Sequence, residues 1–229
     1  MKIWDNLIDD IGKLIPSDVE CEIKMINSTE SLTRFANSHI HQNVEEELTD
    51  IFLTFHADGK TTNLNLNITS MGSIEDIIKK ALSEIGNNPK DSTWPGLTSK
   101  ENSFNGYNDI SPDDPDIRAQ KVKEFIEQGQ TYNGAGYCSS NVSNVFVWNT
   151  NGLNSSDTAT SAFLDGIFRS ETSAGSSHIG NKILSDINAQ KVGKEAFSIT
   201  KESQNPEDID PGVYEVILGP DAVSTILVF

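Results

Sequence analysis

Residues 63–85 read NLNLNITSMGSIEDIIKKALSEI, and the period of their apolar positions changes once. Leu64, Leu66 and Ile68 alternate with Asn63, Asn65 and Asn67, so an extended segment here has one apolar and one polar face. From Ile74 the spacing turns helical: Ile74, Ile77, Ile78, Ala81, Leu82 and Ile85 share one stripe. Ser73 is placed to cap that helix, with Asp76 as the acidic half of a capping box, and Gly86 is placed to end it. A strand with one wet face, followed by a helix with one apolar stripe, is the unit of an α+β layer. The stripe is expected to lie on the apolar face of a sheet.

Toward the N-terminus the same alternation recurs. Val19, Cys21, Ile23 and Met25 alternate with Glu20, Glu22 and Lys24. Ser31 to Phe35, Ile40 to Val44 and Ile51 to Phe55 read as further strands, and Asp58-Gly59 as a hairpin turn. An antiparallel meander is expected. Ahead of it, Trp4, Leu7, Ile8, Ile11 and Leu14 recur at helical spacing until Pro16.

Toward the C-terminus, residues 87–112 form a long irregular loop rich in Asn, Ser, Gly and Pro. Ser111-Pro112-Asp113-Asp114 reads as a helix start, with the helix running to about Gln128. Val145 to Trp148 and Thr158 to Phe168 read as strands, Asn151-Gly152 as a turn and Ser173 to Ser177 as a small-residue loop. A helix is expected from about Ile179, then a strand over Val213 to Leu218 and an apolar run over Ala222 to Phe229. The fold class is therefore α+β: an antiparallel β-meander covered by helices on one face, followed by a second small sheet.

Across 229 residues, 34 acidic side chains face 17 basic ones, for a formal charge of -17. That balance repels a phosphate backbone and an anionic membrane surface, so neither nucleic acid nor membrane is an expected partner. No apolar run approaches the roughly 18 residues of a membrane span. The first residues, MKIWDNLIDDIGKLIP, carry three aspartates and lack the apolar core of a secretory signal. Cys21 and Cys138 are too few for a disulfide framework, and a cytoplasmic location is expected.

Chemistry-bearing motifs are weak. His39 and His41 have the two-residue spacing that puts two imidazoles on one strand face, with Glu45, Glu46 or Glu47 as a third metal ligand; a polar sheet edge is the plainer reading. His56 and His178 read as isolated. Gly134-Ala135-Gly136 lacks the third glycine and the helix start of a phosphate loop. Ser176 and Ser177 precede His178 without a nucleophile elbow or a completing acid. Cys138 has no charged sequence neighbour to activate it. No catalytic, cofactor-binding or metal-binding residue is assigned.

The order of several short motifs nevertheless resembles the N-terminal half of the TldD/PmbA family, known as modulators of DNA gyrase and understood as metalloproteases. Ser31-Leu32-Thr33-Arg34-Phe35-Ala36-Asn37, with Ile40 and Gln42-Asn43-Val44, resembles that family's opening strands. Asp58-Gly59-Lys60, Trp94-Pro95-Gly96-Leu97, Asn149-Thr150-Asn151-Gly152-Leu153 and Ser173-Ala174-Gly175-Ser176-Ser177 resemble later segments. Asn205-Pro206 and Pro211 to Val223 resemble a junction to the second half.

The resemblance implies an N-terminal α+β domain over 1–200, and over 201–229 a junction with the first strands of a truncated, β-rich C-terminal domain. Active members carry H-E-x-x-x-H, whose histidines hold zinc while the glutamate activates water. At the corresponding place this chain has Val228 and Phe229, like the PmbA-like branch without the zinc motif. The implied role is a non-catalytic or incomplete subunit of a cytoplasmic protease acting on unfolded peptides, with zinc only in a catalytic partner or missing half. A TldD-like subunit or a second copy is the implied partner. Strand addition at an exposed sheet edge is the physical route for an extended peptide fed into a cleft across a dimer, and Thr61 to Thr69 could face such a cleft or be a plain solvent face. The other readings are a peptide-binding or scaffold module that has lost proteolysis, and a metal-dependent enzyme using His39 and His41.

Overall fold

The computed structural model describes residues 2–67 and 74–228, and side chains from residue 8 onward within that range. Ile68 and the cap at Ser73 lie outside the described residues, as do the side chains of Trp4 and Leu7. Helix α1 (Lys2–Leu14) precedes strands β1 (Glu20–Ala36), β2 (His39–Ala57) and β3 (Lys60–Asn67). Helix α2 (Ile74–Glu84), the two-residue strand β4 (Asn105–Gly106) and helix α3 (Pro115–Ile126) follow. Strands β5 (Asn133–Asn149), β6 (Asn154–Arg169) and β7 (Ala174–Asn181) then lead to helices α4 (Ala189–Glu202) and α5 (Pro220–Leu227).

The fold is α+β, as the alternating periods require, but the strands are fewer and longer than expected. The segments 19–25 and 31–35 are one strand, and so are 40–44 and 51–55. The polar residues between them do not break the ladder, because they pair across it. The Asn27 amide donates to Glu47 and to Thr49, and the Ser31 hydroxyl donates to Glu45 at 2.9 Å. The connecting turn, Asn37-Ser38, contains no glycine, yet both residues have positive φ, 52° and 60°.

The second small sheet expected downstream is continuous with the first. Among the described residues, the strands form one sheet in the order β3-β2-β1-β5-β6-β4, with β7 also on β6. The neighbours are antiparallel except β4 and β6, which pair in parallel. β5 runs along most of β1, from Glu22 opposite Asn149 to Phe35 opposite Gly136, which fuses the two halves.

Four helices cover one face. Ile8, Ile11, Ile74, Ile78 and Ala81 of α1 and α2 pack on Cys21, Ile23, Met25, Ile51, Leu53 and Phe55. At the other end of β1, Val122 and Phe125 of α3 and Val192 and Ala196 of α4 pack on Phe35, Cys138, Leu164 and Phe168. Odd-numbered residues of β1 serve both cores, so both helix pairs lie on the same side. Among the described residues, no helix packs on the even-numbered side of β1, the open face of the sheet.

Four further expectations are corrected. The α3 cap is Asp114, with Pro115 behind it, three residues beyond the Ser111-Pro112 start. Its carboxylate accepts the Asp116 N–H at 2.9 Å. Residues 173–177 do not form a loop: Gly175 to Ser177 lie inside β7. The small side chains there admit α4, whose Thr200 nitrogen would stand 2.4 Å from a Cβ at Gly175. The helix expected from Ile179 starts at Ala189, where the Asn188 side chain accepts the Lys191 N–H. Residues 213–218 form no strand, and Pro220–Leu227 is a helix with exposed apolar side chains. A strand needs a partner ladder, and no described strand pairs with this stretch.

Candidate functional site

His39 and His41 are not set on an uninterrupted strand face. The β1–β2 register slips between Arg34 and Phe35, where Phe35 faces Ile40 but Arg34 faces Gln42, leaving His41 as the extra residue. The alternation that would align the two imidazoles is interrupted there. Their Nδ1 atoms sit near different carbonyls, Asn37 at 2.7 Å and Arg34 at 3.4 Å. Glu45 and Glu47 lie farther along β2 and are held by Ser31 and Asn27. Among the described residues, no group of three or more His, Cys, Asp or Glu is placed to hold a metal ion.

Gly134-Ala135-Gly136 is strand, not a phosphate loop. Ser177 donates to Glu195 at 3.0 Å on the helix-covered side, whereas the next residue, His178, lies near Asp221 at 3.4 Å. Successive strand residues point to opposite faces, so Ser177 and His178 cannot act together; Ser176 shares the His178 face, but no hydrogen bond joins the two. Cys21 and Cys138 are free and buried. Burial pushes each thiol up to about 12, with Glu22 adding to the rise at Cys21 and Arg118 and Lys121 opposing it at Cys138. Neither thiol is a ready nucleophile.

Two features remain, the open face and the free edge of β3. The Asp58-Gly59 turn has positive φ at both residues and closes with Ala57 opposite Lys60. A two-residue turn makes that closing pair hydrogen-bonded, and antiparallel pairs then alternate. Lys60, Thr62, Leu64 and Leu66 therefore turn their backbone groups toward β2, while Thr61, Asn63, Asn65 and Asn67 turn theirs outward. The Thr61 carbonyl accordingly accepts from Asn88 Nδ2 at 2.9 Å. Among the described residues, nothing pairs with the outward backbone of Asn63, Asn65 or Asn67.

The loop after α2 reaches the open face at the hairpin end of this edge. Thr61 Oγ1 donates to Asp91 at 2.7 Å and Thr93 Oγ1 donates to it at 2.6 Å. The Thr93 and Thr61 hydroxyls and the Thr93 N–H hold the Asp91 carboxyl down at about 2, and His56 adds a smaller lowering. Trp94 donates from Nε1 to Glu20 at 2.7 Å. Sequence reading missed this cluster because its members are spread from residue 20 to residue 94, joined only by β1–β2–β3 pairing.

Buried Arg118 was also not foreseen. It donates to the Asp113 carbonyl and to Asn43, while its Nε has no partner. The signal was present in the helical spacing of Arg118, Val122 and Phe125, three buried residues of one face.

The described residues thus form a one-sided α+β sheet with an open polar face and an unpaired β3 edge. Solved structures carry the same fold. A proposed modulator of a DNA gyrase from Thermotoga maritima MSB8 is 18% identical, with a TM-score of 0.62 over 92% of this chain and 50% of that one. TldE from Thermococcus kodakarensis is 17% identical, with a TM-score of 0.63 over 86% of this chain and 47% of that one. A proposed modulator of DNA gyrase from Bacteroides thetaiotaomicron VPI-5482 is 14% identical, with a TM-score of 0.69 over 91% and 51%. The likeness is one of fold, the fold of TldD/PmbA-type proteins, and the chain spans about half the length of each of these structures. No protein-family model matches the sequence, and no curated protein is significantly similar to it. No helix among the described residues is long and apolar enough to cross a membrane.

Proposed function

We propose that this chain is the non-catalytic, peptide-binding part of a cytoplasmic TldD/PmbA-type proteolytic assembly that handles unfolded peptides. The observation that carries the reading is the fold shared with TldE over 86% of the chain. The outward backbone of Asn63, Asn65 and Asn67 adds a physical route, since an extended peptide can pair with a free strand edge. Hydrolysis then belongs to a zinc-bearing partner with H-E-x-x-x-H, or to a further segment carrying it. The charge of -17 favours a protein or peptide partner over DNA.

Co-expression with a TldD-like subunit, followed by size exclusion and hydrolysis of an unstructured peptide, tests the reading. The pair is expected to co-elute and cleave, and the chain alone to bind the peptide without cleaving it. Zinc-dependent cleavage by the chain alone overturns the non-catalytic assignment. Peptide binding with no association to the subunit favours a binding or scaffold module that has lost proteolysis.

A further inference from the structure

On the open face, a hollow of about 270 Å³ lies across β1, β5 and β6, with Glu30, Leu32, Ser139, Asn141, Ser161 and Phe163 around it. These residues are register neighbours: Glu30 faces Asn141, which faces Ser161, and Leu32 faces Ser139, which faces Phe163. The hollow exists because Ser139 and Ser161 are small and because Phe163 leans the other way. Its ring lies against Gly180, where a Cβ would meet the ring at 2.7 Å, and is stacked 6.4 Å from His178. Phe163 is still 42% exposed.

The polar groups here are unused. Asn141 Oδ1 is buried with no hydrogen-bond partner. Glu30 makes no ion pair with any described cation. On its other side, Glu30 stands directly opposite Glu46 of β2. Like charges directly across a strand pair destabilise each other, so an arriving cation relieves a standing cost. The same face already shows the chemistry: Lys24 Nζ lies 5.7 Å above the Phe52 ring.

We propose that this hollow receives a basic side chain, lysine or arginine, of a bound extended peptide. Glu30 and Glu46 supply the charge, and Leu32 and Phe163 the apolar wall for the aliphatic stem. The proposal rests on the peptide-binding reading above but places this peptide segment on the open face, three strand spacings from the β3 edge, and adds a side-chain preference there.

The test is fluorescence anisotropy on the full 229-residue chain. The probes are labelled, otherwise neutral, unstructured peptides with one central lysine, norleucine or glutamate, at low salt. The lysine peptide is expected to bind about fivefold to tenfold more tightly than the norleucine peptide. Glu30→Gln should reduce that difference at least twofold while the thermal midpoint stays level or rises, since one of two facing charges is gone. Glu30→Lys should instead turn the preference toward the glutamate peptide. Equal affinity for all three peptides overturns the hollow as a basic-residue site and leaves the peptide reading standing. No binding of any peptide overturns both.

Discussion

His56 and Trp94 are stacked, with ring centroids 4.8 Å apart and planes 8° from parallel. His56 lies near the end of β2 and Trp94 in the long loop after α2, so the stack pins that loop to the open face of the sheet. Asp91 anchors the same loop through the Thr61 and Thr93 hydroxyls, and those bonds need the ionised carboxylate.

The loop anchor should therefore be acid-sensitive only at low pH. The Asp91 carboxyl is lowered from 3.8 to about 2 in the folded chain, so its contribution is fully present above 3.8 and is lost as pH falls through 2. Trp94 emission is expected to hold steady down to about pH 4 and to change below it. Asp91→Asn should show the altered emission already at neutral pH. An identical acid profile in both proteins would contradict the anchor.

The β3 edge can be tested with proline. Asn65 turns its N–H outward, so Asn65→Pro removes no ladder hydrogen bond, whereas Leu64→Pro removes one to β2. Asn65→Pro is expected to leave a near-native urea transition and to weaken peptide binding. Leu64→Pro should cost about 1–3 kcal/mol in the same transition, since it leaves a β2 carbonyl unpaired. Equal destabilisation by the two would contradict the pairing register.

The helix α2 stripe should not tolerate a charge. Ile78 is fully buried between α2 and the strands. Ile78→Asp places an unpaired carboxylate there, at a cost of several kcal/mol against a total stability of about 5–15 kcal/mol. Loss of the cooperative melting transition by circular dichroism is the expected result.

Gly136 should resist even one methyl group. Its φ is 154°, and an added Cβ would lie 2.1 Å from the Asp165 carbonyl and 2.8 Å from the Phe35 ring. Gly136→Ala is expected to lower the urea midpoint by about 1–3 kcal/mol of stability with an unchanged slope.

The two thiols should be silent in the folded chain. With both raised to about 12 and buried, Ellman's reagent at pH 8 is expected to react only after denaturation. Rapid reaction in the native state would contradict the packing of both cores.

What the sequence alone determined was periodicity, and with it the α+β class. Leu64 and Leu66 alternate, and Ile74, Ile78 and Ala81 form a stripe, because each pattern sits within one window and follows from backbone geometry. The resemblance to TldD/PmbA-type proteins was likewise legible, since motif order is a property of the chain, and the shared fold bears it out. Tertiary structure decided the rest. Whether residues 26–30 broke a strand depended on whether Asn27 and Ser31 found Glu47 and Glu45 across the ladder. Whether 173–177 was loop or strand depended on Thr200 needing room beside Gly175. The stack of Trp94 on His56, the outward backbone of Asn65 and the facing pair Glu30 and Glu46 likewise exist only once the register is set. Those relationships join residues distant in the chain, and only the sheet's long-range pairing brings them together.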